Sequence, residues 1–257
     1  MRDPDELKSI VDEYLDEFAL WPELHGQTES VRYAFVEMGG KRVRPVICLA
    51  TGEAVGAEPE RILPAAAALE LVHNFSLVHD DLPSLDNDEL RRGRPSTWAQ
   101  FGEAVAVLAG DALLTEAFRL ALSYPTTAVA RELAQATNGM IGGQYLDIRG
   151  ETDDLAALHK LKTGCLFAAS VGLALWAADV PEQEQGPWRA FGDELGLLFQ
   201  IVDDILDSDG YVLSHGEDGA RVLADEAADR AHARLAAIPA DTSVLAGIVS
   251  GLAARTS

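Results

Sequence analysis

Three observations predict an all-α fold for this chain. Apolar residues recur at i, i+3 and i+4 through long Ala-, Leu- and Val-rich stretches; period-2 runs of β-branched residues are scarce; and Gly- and Pro-bearing breaks fall at helix-length intervals. Breaks at 20–27, 39–40, 56–59, 82–95, 124–125, 149–152, 180–187, 208–216 and 239 divide the chain. What remains is about ten helices of ordinary length. The first segment, MRDPDELKSIVDEYLDEFAL, is acidic and amphipathic, unlike the basic and then apolar run of a secretory leader. Pro64 to Asp81 and Phe101 to Leu122 are apolar around most of their circumference, the mark of central helices buried on several sides. Cys165 to Ala178, read as the longest apolar stretch, is too short for the roughly 20 residues that cross a bilayer. The Ala-rich 219–237 is amphipathic. With no repeat and no linker, the expectation is a single domain over 1–257.

Composition narrows the classes of function. The 42 acidic and 20 basic residues leave a formal charge of -22, which repels nucleic acid and anionic membrane surfaces. Two distant cysteines, Cys48 and Cys165, offer neither a disulfide framework nor a CxxC metal site. The expectation is a soluble protein of the reducing cytoplasm, with no transmembrane segment.

Two acidic clusters carry the chemistry: Asp80, Asp81 and Asp86 in DDLPSLD, and Asp203, Asp204 and Asp207 in DDILD. Paired carboxylates in apolar surroundings repel and resist desolvation unless a cation lies between them. Hard oxygen donors point to Mg2+, with Mn2+ as an alternative, and Mg2+ typically takes its remaining ligands from substrate phosphates. Asp203 and Asp207 share a helix face, whereas Asp204 points elsewhere. Pro83 stops the preceding helix, and a short loop returns Asp86 to the cluster. Arg91 and Arg92 follow, suited to bidentate phosphate recognition, with Gly93 permitting close approach. A second basic group, Gly39-Gly40-Lys41-Arg42-Val43-Arg44-Pro45, opens a helix whose free amides attract anions. Two basic clusters imply two anionic groups. Each feature alone has an ordinary alternative: a solvated charged face for either acidic motif or for GGKRVRP, a hydrogen-bonded core histidine for His73, a helix kink for Lys162-Thr163-Gly164.

In order, GGKRVRP, ELVHNFSLVHDDLPSLDNDELRRGRPS, FGEAVAVLAGDALLTEAF, GGQYLDI, LKTG and FQIVDDILD resemble the trans-isoprenyl diphosphate synthases, or polyprenyl synthetases, of bacterial farnesyl diphosphate synthase type, over residues 39–207. The resemblance implies a helical bundle around a deep central cavity, usually a homodimer. It implies a prenyltransferase that condenses isopentenyl diphosphate with an allylic diphosphate, dimethylallyl or geranyl, stopping at farnesyl diphosphate, with geranyl or geranylgeranyl diphosphate as alternative end points. Carried over by position, Asp80 and Asp86 bind two Mg2+ ions and Asp203 a third, with Asp81 and Asp207 supporting. Arg91 and Lys162 hold the allylic diphosphate; Gly40, Lys41, Arg44, His73 and Arg92 hold isopentenyl diphosphate. Gln144, Thr163 and Gln200 line the reaction cavity. Phe75, with Ser76 beside it, floors that cavity, about 7 to 8 Å below Asp80 by helical rise; the alternative is that Phe75 is only core. The chain departs from the family after Asp207, where it has neither the usual long loop nor any lysine beyond Lys162. Two other readings stay open: a class I terpene cyclase, which needs no isopentenyl diphosphate site, and a non-catalytic helical partner of another synthase.

Overall fold

The computed structural model describes residues 1–150 and 155–256. Among them are twelve α-helical segments: α1 (Pro4–Glu17), α2 (Thr28–Arg32), α3 (Val43–Ala54), α4 (Pro59–Asp80), α5 (Thr97–Phe101), α6 (Glu103–Ala121), α7 (Ala128–Arg149), α8 (Leu155–His159), α9 (Cys165–Ala177), α10 (Gly186–Asp207), α11 (Tyr211–Ala236) and α12 (Ser243–Ala253). π-helical turns follow α2 (Tyr33–Glu37) and α8 (Lys160–Gly164). The expected break at 149–152 lies partly outside the described residues; α7 ends at Arg149 and Gly150 turns left-handed.

The helices begin and end where local chemistry dictates. Asp3 caps α1, accepting from the Asp5 and Glu6 amides while the Glu6 carboxylate accepts from the Asp3 amide. Pro59 opens α4 at the position where its missing N–H costs nothing. One departure from helix is a two-stranded hairpin, β1 (Leu90–Arg91) and β2 (Arg94–Pro95), inside the expected 82–95 break. Its central residues Arg92 (φ 54°) and Gly93 (φ 77°) are both left-handed, as a tight hairpin turn requires. Gly93 therefore serves the turn, and nothing lies within 4 Å of the place a Cβ would occupy.

α4 is the central rod. It packs against α3, α6 and α9, and the run Ala65 to Ala68 is buried on every side, which lets three helices approach together. This helix, rather than Cys165 to Ala178, has the length and apolarity to cross a bilayer, but 72% of its most apolar stretch is buried inside the bundle, as a core helix would be. α9 is also buried on all sides, while α10 and α11 pack together through Ala220, Ala224, Ala227 and Ala231 of α11. One hydrophobic cluster runs from Leu7 in α1 to Leu252 in α12.

The turn after α10 is short and pinned. The buried Asp204 carboxylate accepts from the Tyr211 amide (2.8 Å) and from Gln200 Nε2 (2.7 Å), while its backbone carbonyl accepts from the Asp209 amide (3.0 Å). Gly210, at φ 43°, sits so close that a Cβ there would lie 2.0 Å from Asp204 Oδ2. α11 accordingly starts at Tyr211, inside the expected 208–216 break, and kinks at Gly216.

Arg42 turns inward, left-handed at φ 51°, and is 4% exposed. It donates to Glu70 (2.7 Å), Asp12 (2.9 Å) and the Phe35 carbonyl (2.7 Å), tying α1, α3 and α4 together. Glu70 is 2% exposed, so removing it strands a buried guanidinium. Glu70→Ala is expected to lower the unfolding free energy by about 3 kcal/mol or more, measurable by chemical denaturation; a change below about 1 kcal/mol would show that Asp12 and the Phe35 carbonyl suffice.

Candidate active site

The C-terminal ends of α4 and α10 carry the two acidic motifs to opposite sides of one cleft. α4 stops at Asp80 because Pro83 cannot continue it, and the chain folds back through hydrogen bonds from the Asp86 amide to the Asp80 carbonyl (2.9 Å) and from the Asp88 amide to the Asp81 carbonyl (3.1 Å). Asp86 thus returns beside Asp80, as its spacing predicts. Burial, and then the Asp86 carboxylate, push the Asp80 carboxyl up to about 6. Asp203 is also pushed up, by partial desolvation and then by Asp207 and Asp204. Asp207 lies one turn further along α10, exposed at the rim.

Below the aspartates lies a cavity of about 560 Å3 with largely apolar walls. Phe75, Ser76, His79 and Asp80 of α4 form one side, and Gln144, Tyr145 and Ile148 of α7 another. Lys162 and Thr163 project from the π-helical turn before α9. That turn presses on α7: a Cβ at Gly143 would lie 2.4 Å from the Lys162 backbone nitrogen, so glycine is required for the approach. Gln144 Oε1 is buried without a hydrogen-bond partner, an acceptor left open at the wall.

A second chamber, of about 460 Å3, adjoins the first and shares Arg44, His73 and Asp203 with it. Its lining adds Lys41, Arg91, Arg92 and Arg255, together with the mutually paired Arg42 and Glu70. Arg44 stacks over Phe167 (4.5 Å) and Phe199 (5.8 Å), and its buried Nε has no acceptor. Desolvation lowers the Arg44 guanidinium to about 10, so it remains charged at neutral pH. His73 lies well below the usual histidine range, first through burial and then through Arg44, Arg92, Arg42 and Arg91, and is neutral at pH 7. Gly40 abuts Arg92, whose guanidinium also donates to the Gly39 carbonyl. Arg44, Arg91 and Arg92 around a neutral imidazole, with Lys41 and Arg255 beside them, make an anion site.

Several residues stand differently from the sequence reading. Asp81 is 2% exposed and accepts from Arg91 Nε (2.9 Å), so its carboxylate meets a guanidinium and does not line the cleft. Lys162 is paired with Asp147. Gln200 lies outside the apolar chamber: it lines a separate cavity of about 330 Å3 and spends its amide on Asp204, because its place on α10 faces away from α4. Arg42 of GGKRVRP belongs to the core. Sequence reading missed His79, one residue from a noticed motif, and Arg255, which reaches the basic chamber from the turn after α12 and carries no local signal.

The donor set fits a divalent cation in part. Asp80 and Asp86 supply hard oxygens whose mutual repulsion a cation would relieve, and Asp203 faces them. Among the described residues no three His, Cys, Asp or Glu side chains converge as a preformed metal site, so the ligand's own phosphate oxygens would complete the coordination.

By architecture the molecule falls in the class of all-α isoprenyl synthases. An FPP/GFPP synthase from Zymomonas mobilis superposes with a TM-score of 0.85 at 30% identity, covering 97% of each chain. The family model described as Polyprenyl synthetase matches residues 27–220. A farnesyl diphosphate synthase from Bacillus subtilis is 40% identical over 210 residues, covering 76% of this chain and 70% of that one. A geranylgeranyl diphosphate synthase from Cyanophora paradoxa is 40% identical over 194 residues, covering 70% and 64%. The chain therefore spans about two thirds of the length of these curated relatives. It belongs to the polyprenyl synthetase family, the trans-isoprenyl diphosphate synthases.

Since Asp80 must be ionised to meet a cation and titrates near pH 6, protons compete with Mg2+ below that value. Calorimetric titration of Mg2+ in the presence of inorganic pyrophosphate is expected to show weaker binding at pH 5.5 than at 7.5. Asp80→Asn should lose most of this difference; an unchanged difference would assign the proton competition to pyrophosphate alone.

Proposed function

We propose that this chain is a prenyltransferase that joins isopentenyl diphosphate to an allylic diphosphate and releases mainly farnesyl diphosphate. The observation that carries the reading is the pair of contiguous chambers, one apolar and one ringed by arginines, which share Arg44, His73 and Asp203 beneath the two acidic motifs. An apolar chamber suits a growing hydrocarbon, and the basic one suits the diphosphate of the second substrate.

In this reading Asp80, Asp86 and Asp203 hold Mg2+, about three ions by family precedent, with Asp207 supporting. Mg2+, when bound, neutralises the diphosphate leaving group so that the allylic C–O bond can ionise. Lys162 and Arg91 exchange Asp147 and Asp81 for the allylic diphosphate, so that Asp81 positions Arg91 and is not a metal ligand. Arg44, Lys41 and Arg92, with neutral His73 as a hydrogen-bonding neighbour and Gly40 beside them, hold isopentenyl diphosphate. The apolar walls exclude water while its double bond attacks the cation, and the Thr163 hydroxyl and Gln144 Oε1 stabilise positive charge through oxygen. A proton then leaves from the new chain to the released pyrophosphate. Gln200 acts at a distance, through Asp204. Arg255 supplies a cation to the basic chamber in a chain without lysine beyond Lys162.

The chain acts as one domain, a reading supported by the continuous core. The exposed apolar side chains Val107 and Leu108 of α6 and Leu122 at its C-terminal cap support a homodimer. Two unpaired cysteines, Cys48 buried and Cys165 half-buried, fit the reducing cytoplasm.

Purified protein incubated with Mg2+, isopentenyl diphosphate and geranyl or dimethylallyl diphosphate should yield farnesol after dephosphorylation and chromatography. Failure to elongate either primer, where a control synthase succeeds, would remove the reading. Asp80→Asn and Asp203→Asn should each slow elongation by about a hundredfold or more. Phe75→Ala should lengthen the products, and an unchanged distribution would make Phe75 core alone.

A further inference from the structure

The Phe75 ring does not stand alone at the base of the cavity. His79, one helical turn above it on α4, packs edge-on against it with ring centroids 5.0 Å apart and planes at 74°. Both rings line the cavity. Behind His79 lies α6, which contributes none of the residues lining the cavity.

α6 holds the His79 ring by two contacts. His79 Nε2 lies 3.1 Å from the Val107 carbonyl, and since a carbonyl only accepts, Nε2 carries the proton and donates. The same edge of the ring fits a notch at Gly110: a Cβ there would lie 2.2 Å from Nε2 and 2.4 Å from Cδ2. Any larger residue at 110 would drive the imidazole out. The notch fixes position and the hydrogen bond fixes orientation, leaving the ring little room to turn. Asp111 Oδ1, at 4.0 Å, is too far for a competing hydrogen bond.

We infer that His79 is a specificity-determining positioning residue: anchored to α6 at Gly110 and Val107, it braces Phe75 and so fixes how long a hydrocarbon the chamber accepts. The inference rests on the chain-elongating reading above and adds to it a residue that touches neither the diphosphates nor the reacting carbons. A packed aromatic restrained on one face only can rotate away from a growing chain. One restrained by a second ring, itself hydrogen-bonded to another helix, must displace that helix contact first.

The test is product length, which a merely structural residue would not alter. Elongation by wild type, H79A, H79Q, G110A and F75A is followed by chromatography of the dephosphorylated alcohols, with melting temperatures recorded for each. H79A and G110A are expected to raise the ratio of twenty-carbon to fifteen-carbon product about tenfold, the scale on which small changes of fit in an apolar pocket discriminate. F75A should shift the ratio in the same direction. H79Q, whose amide can still donate to the Val107 carbonyl, should stay near the wild-type ratio. An unchanged ratio in H79A and G110A, with F75A lengthening the products, overturns the brace while leaving the function intact. An H79Q ratio equal to that of H79A overturns the hydrogen-bonded part of it. If wild type fails to elongate either primer, the proposed function falls and the inference with it.

Discussion

Charge of opposite sign is held apart across one narrow cleft, and most of the remaining architecture serves that separation. Asp80 and Asp203 are pushed above the ordinary carboxylate range because the bundle partly desolvates them beside further carboxylates. In the adjoining chamber, Arg44, Arg91 and Arg92 crowd a histidine that burial first, and then their charge, keeps neutral. Neither group is satisfied by the other. Arg91 and Lys162 rest on Asp81 and Asp147, and Arg44 rests on two aromatic faces. The fold stores unneutralised charge that a polyanion and its cations together would settle, which is why a diphosphate with metal suits the cleft better than either alone.

The same economy explains the division of labour among the arginines. Arg42 and Arg44 are two residues apart at the start of α3 and both border the basic chamber, yet one is held in buried ion pairs and the other keeps no carboxylate. The left-handed backbone at Arg42 makes this possible by turning its side chain back toward α1 and α4. Glu70 then neutralises Arg42, so the positive potential reaching the cleft comes from residues that keep no carboxylate of their own or only an exchangeable one.

Helical periodicity made the bundle legible, and the acidic motifs could be placed from spacing alone. Pro83 foretold the end of α4 and the return of Asp86, and the four-residue interval set Asp203 and Asp207 on one face. What the sequence withheld were partners chosen across long separations. Nothing near Gln200 says that its amide will serve Asp204 while Thr163 faces the chamber, and nothing near Arg255 places it beside Lys41. The hairpin at 90–95 was hidden because two-residue strands carry no alternation to read. The fit of His79 against Gly110 depends on how two helices cross, which neither helix encodes by itself.

The pinned turn after α10 bears on how the cleft lets go of what it makes. Asp204, the neighbour of Asp203, accepts from the Tyr211 amide and leaves no room for a Cβ at Gly210, so the chain beyond the cleft is tied back to α10 and not hinged over the opening. A doorway that does not swing retains its contents by contact alone. Each buried methylene adds roughly 0.8 kcal/mol of retention, so departure slows steeply with every five-carbon unit gained. Length would then be policed twice, by the base of the chamber while the chain grows and by the residence time of the finished alcohol diphosphate afterwards, with longer occupants throttling turnover by lingering.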